Sequence, residues 1–299
     1  MERLALVTAP SGYLYEEPQF TDQNGGYYQV ADEVLMGWAV KILDETNGIC
    51  RVLTHYGYQG YMSRNRLMEI SPGMLKKREE SAECFFTCAP LTDVMDRPKV
   101  QGRVLLSLTR GCFLTALPQE ENGYRRVRLC TGLEGYVPER ALKRRLDTDR
   151  YLYDPDWNFL HQKAPQEYSC EAFRKQLTDT ALSYLSTQYR WGGKSAQGID
   201  CSGLVFMSYL LCGILIYRDA ALMEGYPIRQ TALRQLKSGD LLYFPGHIAM
   251  YLGDGKYVHS TGHRDSFGCV INSLRPNDPG YREDLKQQLL MAGSLSLPE

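Results

Sequence analysis

The first half of the chain repeats itself. Gly48, Arg51, Val52, Gly57, Gly60, Tyr61 and Leu67 recur as Gly123, Arg126, Val127, Gly132, Gly135, Tyr136 and Leu142, an offset of 75 residues. That is seven identities over 20 aligned positions, where average residue usage gives roughly one or two by chance. The period is too long for a solenoid repeat and suits a small unit with its own core, used twice. Short alternating runs rich in Tyr, Val, Thr and Gly read as strands. Residues 1–150 are therefore predicted to form two copies of one small, barrel-like β-unit. The 299-residue length leaves room for a further domain at ~150 residues each.

Between the copies, Ser71-Pro72-Gly73 closes the first unit and the charged stretch Lys76 to Glu80 predicts a short solvated helix. Composition changes after about residue 150. Asp154-Pro155-Asp156 and Ala164-Pro165 mark irregular chain. Ser169 can then cap a helix running to Tyr189, with Phe173, Leu177, Ala181, Leu182, Tyr184 and Leu185 at helical spacing. A Gly-rich turn and the loop Gly198-Ile199-Asp200 lead into an apolar helix, Leu204 to Ile216. Leu241 to Phe244, Ile248 to Leu252 and Lys256 to Ser260 read as antiparallel strands, with Gly253-Asp254-Gly255 a hairpin turn. Arg282 to Met291 is helix-like. The third domain is α+β, and the predicted boundaries are 1–72, 83–148 and 160–299.

Net charge is −1, from 34 basic and 35 acidic residues. The basic clusters Arg125-Arg126-Val127-Arg128 and Lys143-Arg144-Arg145 are short and read as solvated faces, so no nucleic-acid partner is expected. The longest apolar stretch, Gly203 to Ile216, is broken by Ser208 and Gly213 and falls short of the ~18 residues of a membrane span. The N-terminal apolar run is too short for a secretory signal, so a cytoplasmic protein is expected. The nine cysteines are scattered, without C-x-x-C pairs. That argues against a disulfide framework and against a structural zinc ribbon.

Cys201 stands where loop becomes helix. Unpaired N–H groups and the macrodipole favour an anion there, so its thiol pKa is expected to fall. Cys212, about three turns on, reads as a small core residue. A nucleophilic thiol needs a base within reach. His247 and His259 flank the predicted hairpin, and parity decides whether they share a face. A two-residue loop at Asp254-Gly255 would pair Met250 with His259 and separate the histidines. A three-residue loop, or an equivalent bulge, pairs Ala249 with His259 and puts both on one face. The second register is predicted, with His247 as base and His259 fixing its tautomer. His55, His161 and His263 lack such support. A Cys-His-His set could hold zinc, but 46 residues separate Cys201 from His247 and 12 more lead to His259. Neither metal nor organic cofactor is expected.

Tyr189-Arg190-Trp191-Gly192-Gly193, Gly198 to Val205, Gly239 to Phe244 and Gly246 to His259 together resemble the NlpC-type cysteine peptidases. The resemblance covers roughly residues 170–275, in order. It implies a papain-like fold, cleavage of bacterial cell-wall stem peptides, Cys201 as nucleophile, His247 as base and His259 as orienting residue. Each repeat ends in Gly-Tyr followed by Met or Val, which resembles bacterial SH3-like domains. The whole chain is similar to γ-D-glutamyl-L-diamino-acid endopeptidases with such domains in front. Two small all-β SH3-like barrels followed by an α+β papain-like catalytic domain is the architecture this implies. The branch recognises the free amine of L-Ala-γ-D-Glu-diamino acid, which assigns Asp200, Ser202 and Tyr58 to substrate binding. The branch's acidic residue aligns with Ala31, leaving Glu33 as a weak substitute. Tyr189 can orient the acyl oxygen beside the Cys201 N–H. The implied reaction is hydrolysis of the γ-D-Glu–diamino acid bond, in recycling of peptidoglycan fragments. The alternatives are a non-catalytic cell-wall-binding protein and an amidase or acyltransferase on the same scaffold.

Overall fold

The computed structural model describes residues 2–19, 30–145 and 170–295. His161, Ser169 as a helix cap, and the Asp154-Pro155-Asp156 and Ala164-Pro165 segments lie outside the described residues. The chain divides into two compact units, Met1–Trp157 and Asn158–Glu299.

The first unit contains two seven-stranded antiparallel sheets. Numbered within each sheet, the strand order is 3-2-6-5-4-1-7 in both. The 75-residue repeat is thus a repeat of topology. Asn47-Gly48 and Asn122-Gly123 occupy matching hairpin turns, all four with positive φ (52°, 76°, 52° and 75°), as the turn type that follows strand twist requires. Gly60 and Gly135 mark a second shared constraint. A Cβ on Gly60 would lie 2.7 Å from Leu14 Cβ, and one on Gly135 2.5 Å from Val94 Cγ1, so the second strand of each copy crosses where only glycine fits. Among the described residues no pairing joins the third strand to the seventh. No closed barrel is seen among the described residues, where the resemblance implied SH3-like barrels.

The two copies meet within this unit. Trp38, buried, donates its indole N–H to the Gly111 carbonyl at 2.9 Å, and the Phe113 N–H reaches the Met36 carbonyl at 2.9 Å. Helix α1, Pro72–Glu79, joins them. Ser71 caps it by accepting from Met74 N, and Pro72 stands where a missing N–H costs nothing.

The second unit sets two helices, α2 (Cys170–Leu182) and α3 (Cys201–Leu210), beside a six-stranded antiparallel sheet. In spatial order its strands are Ile228–Thr231, Met291–Leu295, Leu241–Phe244, His247–Gly253, Lys256–Thr261 and Gly268–Ser273. A fourth helix, α4 (Glu283–Gln288), contributes Leu285 to a core with Leu242, Phe244, Ala249 and Tyr257. Helix α2 ends seven residues before the expected Tyr189. Short-range bonds such as Tyr184 N to Ala181 O tighten its last turn, and Ser186 N then reaches Cys269 O at the sheet edge. Every residue of α3 is buried, the mark of a helix enclosed on all sides. Burial of Leu204, Val205, Phe206 and Leu210 contributes about 1.5–3 kcal/mol each relative to exposure. The helix ends at Leu210, short of the expected Ile216, and Gly213 turns the chain with φ 91°. Among the described residues no helix is long and apolar enough to cross a membrane.

Candidate active site

Cys201 is the first residue of α3, and Asp200 is its N-cap. The Asp200 carboxylate accepts from Gly203 N at 2.5 Å and from Gly192 N at 2.9 Å, tying helix start to the preceding glycine turn. Gly203 is required at this junction, because a Cβ there would strike the Gly193 carbonyl oxygen. The segment before the helix is aligned by a parallel bridge between Tyr189 and Ile199, with Ile199 N donating to Gln188 O at 3.0 Å. Ser260 Oγ donates to Ile199 O at 2.6 Å. That bond fixes the nucleophile's loop to the strand that carries His259.

The hairpin reaches the predicted register by the bulge route. Met250 pairs with Val258 and Tyr251 with Tyr257, but Gly253 pairs with Lys256. The turn is therefore two residues long, Asp254-Gly255, and one extra residue beside it restores the parity that aligns Ala249 with His259. His247 Nε2 and His259 Nδ1 lie 2.7 Å apart. His259 Nε2 lies 2.8 Å from Asn272 Oδ1, and Asn272 Nδ2 donates to Gly280 O at 2.8 Å. The backbone N–H groups of Ile248, next to His247, and of Ser202 favour the thiolate form of Cys201. The structure thus gathers Cys201, His247, His259 and Tyr189. Asn272 carried no sequence signal beyond its place on a neighbouring strand.

Burial decides the protonation states. It pushes the Cys201 thiol up to about 11, with the Asp200 charge adding to the effect. The helix terminus does not win here, because desolvation of a nearly enclosed sulfur is the larger effect. Burial and the neighbouring His259 push His247 down to about 3, and burial pushes His259 down to about 4. These shifts favour the neutral thiol and the neutral imidazoles. Tyr189, half-buried, has its hydroxyl pushed up first by burial and then by the negative charge of Cys201 and Asp200. Its ring meets Phe267 edge-on at 6.3 Å.

Asp200 and Ser202 have a different environment from the one expected of substrate contacts. Arg218, buried beside them, donates to Asp200 Oδ2 at 3.0 Å, to Asp200 Oδ1 at 3.2 Å and to Ser202 Oγ at 2.5 Å. The Asp200 charge is matched inside the protein. Arg218 stands 18 residues along the chain and was invisible to motif reading. Tyr58 and Glu33 lie in the first compact unit. Glu33 is buried and accepts from Ser11 Oγ, while Tyr58 is half-buried in the turn before strand Gln59–Ser63. Among the described residues no group of three His, Cys, Asp or Glu side chains is placed to hold a metal ion.

Residues 186–278 match the NlpC/P60 family. The chain is 36% identical to dipeptidyl-peptidase 6 of Lysinibacillus sphaericus over 299 residues, covering 97% of this chain and 99% of that one. The chain belongs to the NlpC/P60 family. It is accordingly a peptidase of the cysteine type. It is also 33% identical to a γ-D-glutamyl-L-lysine dipeptidyl-peptidase of Bacillus cereus, covering 84% of this chain and 72% of that one. The crystal structure of an NlpC/P60 family protein from Bacillus cereus superposes with a TM-score of 0.74, at 21% identity, over 99% of this chain and all of that one. That likeness concerns the fold.

Proposed function

We propose that this NlpC/P60 peptidase hydrolyses the γ-D-Glu–diamino acid bond of peptidoglycan stem peptides, releasing the dipeptide L-Ala-D-Glu. The observations that support the reading are Cys201 at the start of α3, influenced by the backbone of Ile248 beside His247, and the His247–His259 contact, in a chain whose relatives are named dipeptidyl-peptidases. A dipeptidyl-peptidase works from a free amino end, so a free N-terminal L-Ala belongs to the proposal. The two β-units are inferred to be SH3-like modules, supported by their common strand order. Recycling of released fragments in a reducing compartment is inferred from the eight free thiols among the described residues.

In the mechanism, the Cys201 S–H proton passes to His247 Nδ1 as sulfur attacks the γ-carbonyl carbon of D-Glu. The Cys201 N–H and the Tyr189 hydroxyl stabilise the developing oxyanion. The C–N bond breaks as imidazolium returns its proton to the leaving amine. Water then attacks the thioester, its proton passes through His247 to the departing sulfur, and the acid is released.

The test is incubation with L-Ala-γ-D-Glu-L-Lys and its diaminopimelate analogue, each with and without N-acetylation, read by mass spectrometry. L-Ala-D-Glu is expected from the free-amine peptides only. Cleavage of acetylated peptides would remove the free-amine requirement. Cleavage of none would overturn the substrate assignment and favour a binding protein or an acyltransferase.

A further inference from the structure

Two neutral histidines in contact have two self-consistent protonation patterns. In one, His247 Nε2–H donates to His259 Nδ1, and His247 Nδ1 is bare. In the other, His259 Nδ1–H donates to His247 Nε2, and the His247 proton sits on Nδ1. Only the first can accept the thiol proton at Nδ1. The 2.7 Å contact is compatible with both, so something outside the pair must choose.

The geometry points to Asn272 as the positioning residue that chooses, by holding His259 protonated on Nε2 and thereby leaving His247 Nδ1 bare for the Cys201 thiol. The inference rests on the reading of Cys201 and His247 as the reacting pair. Its logic starts at the backbone. The Gly280 carbonyl can only accept, so the Asn272 atom 2.8 Å away is its NH₂. The amide oxygen therefore faces His259 Nε2 at 2.8 Å, and that nitrogen must carry the proton. His259 Nδ1 is then an acceptor, and His247 Nε2 must donate to it. One backbone carbonyl sets three side chains in series.

The carbonyl is itself held. Ser273 N also donates to it at 3.1 Å, and Arg282 N donates to Ser273 O at 3.2 Å. Ser273 Oγ donates to Asp278 Oδ2 at 2.7 Å, within the same loop. Gly280 has φ +74°, and a Cβ on it would lie 3.0 Å from Asn272 Nδ2, so the loop closes against the amide with no room to spare. Asn272 is 6% exposed, so water does not compete freely for either end of the amide. Burial keeps both rings neutral at pH 7, so the choice lies between tautomers rather than between charge states.

The experiment reads tautomers directly in the full chain, with ¹⁵N-labelled histidine and long-range ¹H–¹⁵N correlation at pH 7. In the unsubstituted protein both rings are expected as Nε2–H. A proton on Nδ1 of either ring overturns the proposal with no variant needed. Asn272→Leu keeps the shape and removes the acceptor. It is expected to move protons to Nδ1 and to lower kcat about 10- to 100-fold, with KM changed less than about twofold. Asn272→Asp restores an acceptor. It is expected to return the Nε2–H signals and part of kcat, while moving the acid limb of the pH profile upward, because a carboxylate favours imidazolium. Folded Asn272→Leu with unchanged tautomers and unchanged kcat overturns the proposal. Activity persisting in Cys201→Ala would instead overturn the reacting pair, a failure the tautomer spectrum does not share.

Discussion

Asp200→Asn removes one charge and almost no volume, and its effect distinguishes an internal clamp from a free counter-ion. Asp200 and Arg218 form a bidentate pair at 3.0 and 3.2 Å, with side chains 9% and 3% exposed. Breaking a buried pair from one side leaves the other charge uncompensated, at about 3–5 kcal/mol. The amide also cannot serve both backbone donors, because one of Gly203 N and Gly192 N must face its NH₂. Arg218→Met is expected to cost a similar amount. The double variant is expected to recover much of the loss, with a coupling of about 3 kcal/mol, because both partners leave together. Hydrogen exchange of α3 amides across a urea series reads this locally in the second unit. Removing the Asp200 charge is also expected to lower the thiol pKa from about 11, measured as the pH dependence of Cys201 alkylation. Asp200→Asn within about 0.5 kcal/mol of the parent, as for an ordinary surface change, with a raised KM, would refute the clamp.

Gly203→Ala is expected to destabilise the second unit by about 1–3 kcal/mol and abolish most activity, since the new Cβ displaces the Gly193 carbonyl at the nucleophile; thermal unfolding and peptide turnover check it. Gly60→Ala and Gly135→Ala are expected to destabilise the first unit by similar amounts, about 1–3 kcal/mol each, because both meet the same strand crossing; unequal effects on urea unfolding would argue that the repeats differ in packing. The buried histidines make stability acid-sensitive. Their folded pKa values, about 3 and about 4, lie below the ordinary 6.5, so the unfolded chain binds more protons between those limits. Stability is full above pH 6.5 and falls with acid by about 1.4 kcal/mol per pH unit for each histidine. His247→Gln with His259→Gln should flatten that slope in urea midpoints between pH 4 and 7.

The repeat was legible because its constraints are local. The turn glycines Gly48 and Gly123 act through neighbours in sequence, and a 75-residue offset exposes them together with Gly60 and Gly135, whose contacts with Leu14 and Val94 only the fold reveals. The histidine register was legible because hairpin parity allows only two answers, although the bulge beside Asp254-Gly255 carried no residue signature of its own. Arg218 and Asn272 were not legible, since each acts through a fold-dependent contact, 18 residues from Asp200 and 13 from His259. The thiol's direction of shift was misjudged for a similar reason. A helix start is visible in sequence, whereas the burial that outweighs it depends on what packs around the sulfur. The β character of the first half followed from pattern, but strand order and the closure of a sheet depend on pairings that no local motif specifies.

The most direct test of the account is rapid-quench mass spectrometry of the protein mixed with L-Ala-γ-D-Glu-L-Lys. A thioester of L-Ala-D-Glu is predicted on the peptide containing Cys201, formed through the γ-carboxyl and absent from Cys201→Ala, which should not turn over. Dipeptide release by Cys201→Ala at the parent rate, or turnover by the parent with the acyl group on another residue, would contradict it.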